Sequence, residues 1–220
     1  MVRVKICGIT NWQDAKAARD LGADALGFNF YEKSKRVISP AAAWKIISRV
    51  RDDVESVGVF VNWSPEAIVA LAGALSLDSV QLHGDEAPGV VRECAKHFQV
   101  TKAFQAGAHF QLKNLRAYGA ASTFLLDAAG TGQYGGTGKR ADWVLARRAA
   151  KSHRIILAGG LTPENVGDAI RFVRPYAVDV ASGVESRPGK KDHGKLRVFF
   201  AEVERADRAR HIRKTRRGHS

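Results

Sequence analysis

Residues 155–183 read IILAGGLTPENVGDAIRFVRPYAVDVASG and contain one complete strand–helix–strand unit. The apolar runs Ile155–Ala158 and Ala177–Val180 have the length and composition of buried strands. Between them, Thr162-Pro163 places a capping hydroxyl before proline, which predicts the start of a helix. A strand, a helix and a second strand in this order predict two parallel strands joined by a crossover helix.

The same unit recurs along the whole chain. Strand-like runs begin about every 25 residues, and the segments between them have helical apolar spacing. The predicted strands are Val2–Ile6, Ala25–Phe28, Ser56–Val61, Ser79–Leu82, Val100–Phe104, Thr123–Leu126, Ile155–Ala158 and Ala177–Val180. Eight units predict an α/β fold, a single (β/α)8 TIM barrel over residues 1–204. An open doubly wound sheet usually has a glycine-rich dinucleotide turn after its first strand, and Cys7-Gly8-Ile9-Thr10 lacks that pattern.

The charge of the chain is unevenly distributed. Its 220 residues include 35 Lys and Arg against 22 Asp and Glu, a formal net charge of +13. Residues 205–220 hold seven basic side chains and one acidic side chain, without a sustained apolar face. We predict a basic, disordered C-terminal tail there. Nucleic acid, the partner that a basic chain suggests, is therefore expected at the tail or not at all.

Composition narrows the location of the protein. No apolar run reaches the roughly 20 residues that span a bilayer, and the N-terminus does not resemble a signal peptide. Two cysteines, Cys7 and Cys94, are too few for a disulfide framework, which favours a reducing, cytoplasmic compartment. Cys94 lies inside a predicted helix, away from the expected site, and we expect it to be structural.

The glycines near the C-terminus point to phosphate. The chemistry of a (β/α)8 barrel lies at the carboxyl ends of its strands, and phosphate is commonly bound by the loops after strands seven and eight. Gly159-Gly160 follows the seventh predicted strand and Ser182-Gly183 follows the eighth. Glycines let backbone N–H groups approach anionic oxygens closely. The alternative is that these glycines serve tight turns alone.

Two titratable groups end strands on opposite sides of the predicted barrel mouth. Asp127 ends the sixth strand, where it is either a general acid or a loop cap. Cys7 ends the first strand, where it is either a reactive thiol or a small buried side chain. Lys5 lies on the same face of that strand, so we expect it to favour the Cys7 thiolate at neutral pH.

Two further side chains are candidates for substrate contacts. Arg36 lies in the long loop after the second strand, either to bind a carboxylate or as part of a solvated basic loop. His83 follows the fourth strand, either to hold or polarise a substrate or to cap the next helix. Metal-ligand spacing and the Walker and dinucleotide motifs are missing, so we expect no cofactor and no metal.

Seven motifs in order resemble those of the phosphoribosylanthranilate isomerase family. They are Lys5-Ile6-Cys7-Gly8-Ile9-Thr10, Gln81-Leu82-His83-Gly84, Leu126-Asp127, Gly135-Gly136-Thr137-Gly138, Ala158-Gly159-Gly160-Leu161-Thr162-Pro163-Glu164-Asn165-Val166, Val178-Asp179-Val180 through Gly183-Val184-Glu185, and Pro188-Gly189-Lys190-Lys191-Asp192. The resemblance covers residues 2–203. It implies a barrel isomerase of tryptophan biosynthesis. Its reaction is the Amadori rearrangement of N-(5-phosphoribosyl)anthranilate to 1-(2-carboxyphenylamino)-1-deoxyribulose 5-phosphate.

The resemblance also implies roles for individual residues and a small phosphorylated, carboxylate-bearing substrate. By analogy with the family, the general base is Cys7, the general acid is Asp127, the anthranilate carboxylate is bound by Arg36, the phosphate is bound at Gly159-Gly160 and Ser182-Gly183, and the mobile closing loop is Gly135–Gly138.

The chain departs from the family pattern at two places near the expected site. Ala181 stands where a second serine is common, which removes one phosphate donor. Ser34-Lys35-Arg36 replaces a frequent Ser-Pro-Arg, which is expected to loosen the loop. Another sugar-phosphate barrel isomerase, such as a pentose-phosphate epimerase or the histidine-pathway isomerase, is the alternative; Cys7 together with Arg36 argues against it. A dual substrate range stays open.

Overall fold

Eight parallel strands close into a barrel in the computed structural model, which describes residues 1–106, 110–128 and 142–217, without the side chains of Ala128 and 210–217. Neighbours in sequence are neighbours in the barrel, and β8 pairs with β1 to close it. The strands are β1 Arg3–Cys7, β2 Ala25–Asn29, β3 Glu55–Phe60, β4 Ser79–Leu82, β5 Gln99–Ala106, β6 Thr123–Ala128, β7 Ile155–Leu157 and β8 Ala177–Val180. The predicted (β/α)8 barrel and its eight strands are confirmed, with ends that differ by at most two residues.

Helices surround the barrel and bury their apolar faces on it. They are α1 Trp12–Asp20, α2 Pro40–Val50, α3 Pro65–Ala74, α4 Pro88–Cys94, α5 Trp143–Ala149, α6 Val166–Val173 and α7 His193–Arg217. A 3-10 helix, Leu112–Tyr118, stands between β5 and β6, where the spacing predicted an α-helix. After β8 come a 3-10 turn, Ser182–Val184, and a two-stranded hairpin, β9 Glu185–Arg187 with β10 Lys190–Lys191. In the described part, no helix combines the length and the apolar character needed to cross a membrane.

The sequence places a hydroxyl residue before proline, a helix-start signal, at Ser39-Pro40, Ser64-Pro65 and Thr162-Pro163. In the first two cases a helix begins at the proline, and the serine hydroxyl accepts a hydrogen bond from a backbone N–H group in the first turn of α2 or α3. The Thr162-Pro163 prediction is wrong, because α6 begins three residues later. The Asn165 side chain accepts from the Thr162 N–H and donates to the Gly160 carbonyl, which holds this stretch as a loop.

The last helix crosses the predicted domain boundary at residue 204 without a break. Ala206 and Asp207 are buried, and Ala206 belongs to the main apolar core. The carboxylate of Asp207 lies 3.8 Å from the N-terminal amine of Met1. The division of the chain at residue 204 and the disorder of the tail stay predictions.

A buried ion pair between Lys102 of β5 and Glu86 connects the carboxyl ends of β3 and β4. The Lys102 ammonium donates to a Glu86 carboxylate oxygen at 2.9 Å and to the carbonyls of Leu82 and Gly84. Glu86 in turn accepts from the backbone N–H groups of Asn62 and Gly84. The two charged side chains are 2% and 1% exposed. Burying a charge is unfavourable without such partners, so each of these two side chains compensates the burial of the other.

We predict that Lys102→Met lowers the free energy of unfolding by about 3–5 kcal/mol, because it leaves the Glu86 carboxylate buried and uncompensated. Lys96→Met is the matched control. Lys96 pairs with Glu93 on the surface, and losing such a pair costs about 1 kcal/mol or less. Urea titration of both variants measures the difference. Equal losses in the two variants would contradict a structural role for the buried pair.

Candidate active site

The carboxyl ends of β4 and β6 bring His83 and Asp127 together. His83 follows the last residue of β4, and Asp127 is the last residue but one of β6. The Nε2 atom of His83 lies 3.4 Å from Oδ2 of Asp127, and both side chains are largely buried. Asp127 therefore lines the barrel mouth, at the position expected of a strand-end carboxylate.

A buried polar layer lies beneath this pair. The Gln81 amide nitrogen is 2.8 Å from Nδ1 of His83, and the Gln81 amide oxygen accepts from the Lys5 ammonium at 3.0 Å. Lys5 also donates to Asp179 at 3.0 Å. All three residues of this layer are buried. Sequence reasoning gave no role to Gln81 or Asp179, although both stand in the quoted motifs Gln81-Leu82-His83-Gly84 and Val178-Asp179-Val180.

Lys5 stays positively charged inside the barrel. Burial alone lowers its pKa, but the negative charge of Asp179 and the contacts with Asp179 and Cys7 outweigh burial, so the pKa of Lys5 is raised. The ammonium thus joins the Asp179 carboxylate, the Gln81 amide and the Cys7 sulfur in one group of contacts.

The pKa of Cys7 shifts in the direction opposite to the one that we expected. Burial raises the pKa of this thiol. Lys5 and Lys191 lower it without outweighing burial, and the charge of Asp179 raises it further. The expectation that Lys5 makes Cys7 a thiolate at neutral pH is therefore wrong for the resting protein. The physical reason is that burial disfavours the thiolate, and that the negative charge of Asp179 acts against the effect of Lys5.

Arg36 is held at the mouth by an ion pair with the hairpin after β8. Its Nε and Nη2 atoms donate to the two carboxylate oxygens of Glu185 at 2.8 and 2.7 Å. Lys191 donates to the same carboxylate and to the Cys7 carbonyl oxygen. The Arg36 stem crosses Gly8, where a Cβ would lie 2.4 Å from Arg36 Cδ. The solvated-loop interpretation of Arg36 is excluded, since its side chain is 13% exposed.

The long loop that carries Arg36 is ordered by a serine rather than by a proline. The Ser34 hydroxyl accepts from the Arg36 backbone N–H and from the Asn29 side-chain amide, each at 3.1 Å. The Asn29 side chain also accepts from the Tyr31 backbone N–H at 2.9 Å. These bonds fix the turn that positions Arg36. This part of the loop is therefore ordered even though Lys35 stands where the family frequently has proline.

The loops after β7 and β8 touch each other. Gly159 and Gly160 have φ values of +81° and +63°, a left-handed conformation that glycine adopts without strain. An added Cβ at Gly183 would lie 1.8 Å from the Leu161 carbonyl oxygen, so a larger residue cannot occupy this contact. Ser182 begins the short 3-10 turn beside it. The four residues predicted to bind phosphate thus lie on two adjoining turns.

Four residues of this site were not predicted from the sequence as parts of the chemistry: Gln81, Asp179, Glu185 and Lys191. Glu185 and Lys191 are far from Arg36 and Cys7 in sequence, so spacing gave no signal for their contacts. Cys94 is buried in α4, where burial raises the pKa of its thiol to about 11. The predicted closing loop Gly135–Gly138 lies outside the described residues.

Comparison with known proteins gives a consistent result. The family model described as N-(5'phosphoribosyl)anthranilate (PRA) isomerase matches residues 4–202. A relative from Trichlorobacter lovleyi, named N-(5'-phosphoribosyl)anthranilate isomerase, is 49% identical over 207 residues, which cover 94% of this chain and 100% of the relative.

Solved structures agree with the sequence matches. The phosphoribosyl anthranilate isomerase of Thermotoga maritima superimposes with a TM-score of 0.86 at 44% identity, covering 93% of this chain and 99% of that one. A phosphoribosyl anthranilate isomerase in complex with reduced 1-(o-carboxyphenylamino)-1-deoxyribulose 5-phosphate superimposes with a TM-score of 0.83 at 43% identity, again covering 93% and 99%.

We predict that Asp179→Asn lowers the pKa of Cys7, because it removes a nearby negative charge and leaves the Lys5 ammonium to stabilise the thiolate. Thiolate absorbance near 240 nm, followed against pH, measures the midpoint. Subtracting the Cys7→Ser signal removes the contribution of Cys94. Asp168→Asn, an exposed carboxylate of α6, is the matched control. An Asp179→Asn midpoint at or above that of the unsubstituted protein would contradict the assignment.

Proposed function

The chain belongs to the N-(5'-phosphoribosyl)anthranilate isomerase family, and we propose that it uses Cys7 as general base and Asp127 as general acid in that family's reaction. Family membership and the isomerase class confirm what the sequence motifs predicted. The proposed reaction converts N-(5-phosphoribosyl)anthranilate to 1-(2-carboxyphenylamino)-1-deoxyribulose 5-phosphate in tryptophan biosynthesis, in the cytoplasm. The observation that carries the assignment is the chain of contacts from Cys7 through Lys5, Gln81 and His83 to Asp127 at the barrel mouth.

The substrate's phosphate group is assigned to the turns at Gly159-Gly160 and Ser182-Gly183. Their support is the left-handed glycine conformation, the contact between the two loops, and the location after β7 and β8, where barrels commonly bind phosphate. Backbone N–H groups and the Ser182 hydroxyl are the donors that such a turn offers to anionic oxygens.

The anthranilate carboxylate is assigned to Arg36. Glu185 uses the Nε and Nη2 side of the guanidinium, and among the described residues no side chain accepts from Nη1. The outer Nη1–Nη2 edge therefore offers two parallel N–H donors, which fit a carboxylate. The Glu185 pair holds the guanidinium in place while this edge binds the substrate.

Ring opening is the first chemical step. Asp127, in its protonated form, gives its proton to the furanose ring oxygen. The bond between C1′ and that oxygen breaks, and its electron pair goes to the oxygen, which becomes a hydroxyl. The nitrogen lone pair forms a double bond to C1′, and the product is a protonated imine. Asp127 is left as a carboxylate.

Proton removal at C2′ is the second step. The Cys7 thiolate takes the C2′ proton, and the electrons of that C–H bond form a double bond between C1′ and C2′. The former C=N electrons return to nitrogen, which gives a neutral enolamine. The enolamine becomes the ketone when its C2′ hydroxyl loses a proton and C1′ gains one. The resting Cys7 thiol gives its own proton to solvent before this step and is a thiol again once it holds the C2′ proton, while Asp127 regains its proton from solvent.

The thiolate needs stabilisation, because burial raises the pKa of Cys7. Two ammonium groups, of Lys5 and Lys191, act on the thiol in the opposite direction. The protonated imine adds a third positive charge during the reaction. These charges favour the thiolate at the stage at which it is needed.

We expect Cys7→Ser and Asp127→Asn each to lower kcat by about 10²–10⁴-fold, because each removes one proton-transfer group. Substrate affinity should change little. The fall in fluorescence as the anthranilate substrate is consumed measures turnover, and a binding titration measures affinity. Cys94→Ala is the cysteine control and should keep turnover. Near-normal kcat in Cys7→Ser or in Asp127→Asn would refute the role of that residue.

We expect Arg36→Lys to raise KM by roughly tenfold to a hundredfold, since a charged hydrogen bond contributes about 1.5–3 kcal/mol and an ammonium cannot bind two carboxylates side by side. Steady-state kinetics measures KM and kcat separately. Lys33→Met, an exposed cation of the same loop, is the control and should leave KM unchanged. An unchanged KM for Arg36→Lys would show that the carboxylate binds elsewhere.

A further inference from the structure

We propose that Gln81 is a positioning residue that fixes the ring tautomer of His83, so that the His83 Nε2–H is directed at the carboxyl group of Asp127. The inference rests on the proposed function, in which Asp127 is the general acid. It assigns a task to Gln81 and adds a role toward the acid to His83, whose predicted substrate contact stays a prediction.

The orientation of the Gln81 side chain is set by Lys5. An ammonium group has three donors and no acceptor, so the Gln81 atom that faces it at 3.0 Å must be the amide oxygen. Asp179 binds the same ammonium and holds it in place from the neighbouring strand β8. The Gln81 amide nitrogen consequently points the other way, toward the imidazole ring of His83.

The Gln81 amide nitrogen then decides which ring nitrogen of His83 carries the proton. This nitrogen has hydrogens and no lone pair to offer, so Nδ1 of His83, 2.8 Å away, must be the acceptor. In the neutral ring, the other nitrogen, Nε2, must therefore be the donor. The opposite tautomer would set N–H against N–H at a buried contact.

The Nε2–H group of His83 is an unused hydrogen-bond donor in the resting protein. The Nε2 atom is buried and, among the described residues, has no hydrogen-bond partner. It is 3.4 Å from Oδ2 of Asp127, slightly beyond the usual range of about 2.7–3.2 Å. A buried donor without a partner is uncommon in native proteins, and this one faces the group that gains negative charge in the reaction.

The consequence concerns the acid step. When Asp127 gives its proton to the ring oxygen, it becomes a carboxylate, and the Nε2–H can move a few tenths of an ångström to donate to it. A donor that acts on charge formed during the reaction raises kcat rather than substrate affinity. The other tautomer would present a lone pair to the new carboxylate and oppose the step.

Nitrogen-15 NMR of the resting full-length protein tests the tautomer directly. Long-range nitrogen–proton correlation distinguishes the protonated from the unprotonated ring nitrogen, and the signals lost in His83→Asn identify this ring among the seven histidines. We expect a protonated Nε2 and an unprotonated Nδ1. A protonated Nδ1 in the unsubstituted protein would overturn the inference, and this measurement does not depend on any Gln81 variant being folded.

Gln81→Glu tests the consequence for catalysis. A glutamate accepts a hydrogen bond, so Nδ1 should become protonated. The resulting ring either presents a lone pair to Asp127 or carries a positive charge that keeps Asp127 ionised, and we expect kcat to fall at least about tenfold with KM within about twofold. Gln99→Glu makes the same chemical change at the exposed start of β5 and should leave kcat unchanged. Gln81→Met, which neither donates nor accepts, should give mixed tautomers and an intermediate kcat.

The outcomes separate this inference from the proposed function. Turnover by Asp127→Asn would refute the acid role, whereas the tautomer is read without substrate and without turnover. An unchanged His83 spectrum in folded Gln81→Glu, or a changed spectrum with unchanged kcat, would refute the role of Gln81. A fall in kcat with equal loss in Gln99→Glu would also refute it, because a general effect of added charge would then explain the result.

Discussion

The site depends on a single ammonium group enclosed in the barrel, that of Lys5. Taking this charge out of water is unfavourable unless anions and acceptors surround it, and Asp179 and Gln81 supply them. Lys5 and Asp179 are direct partners in the β1–β8 ladder, so closure of the barrel brings the two charges together. The same ammonium orients Gln81 and, through it, the ring of His83. It also lowers the pKa of Cys7, against burial and Asp179.

Close backbone approaches give the site its remaining geometry. A Cβ at Gly27 would lie 2.7 Å from the Cys7 sulfur, and one at Gly8 would lie 2.4 Å from Arg36 Cδ. A Cβ at Gly183 would collide with the Leu161 carbonyl. Gly27 leaves space for the Cys7 sulfur, and Gly8 leaves space for the Arg36 side chain. Gly183 lets the loops after β7 and β8 touch each other. Glycine is required there because of space at Gly27 and Gly183, and because of both space and a φ of +75° at Gly8.

The sequence predicted the barrel well, because strand runs, helix caps and regular spacing are local signals. It also placed Cys7, Asp127, His83 and the paired glycines at strand ends, since parallel strands bring their carboxyl ends to one edge. It could not predict that Arg36 donates to Glu185 or that Lys191 donates to the Cys7 carbonyl oxygen. The partners in these two contacts are separated by 149 and 184 positions in the sequence. The direction of the Cys7 pKa shift needed the burial of the thiol and the position of Asp179, neither of which spacing reveals.

The resting site is arranged for the charges of the reaction rather than for those of the free protein. Cys7 rests as a thiol, because burial disfavours its ionised form. A donor on His83 waits beside a carboxyl group that becomes an anion only after it gives up a proton. In the proposed mechanism, ring opening creates a cation on the substrate and an anion on Asp127 in one step. The cation on the substrate favours the Cys7 thiolate, and the His83 donor stabilises the Asp127 carboxylate. The ring-opening step therefore creates the conditions in which Cys7 can remove the proton at C2′.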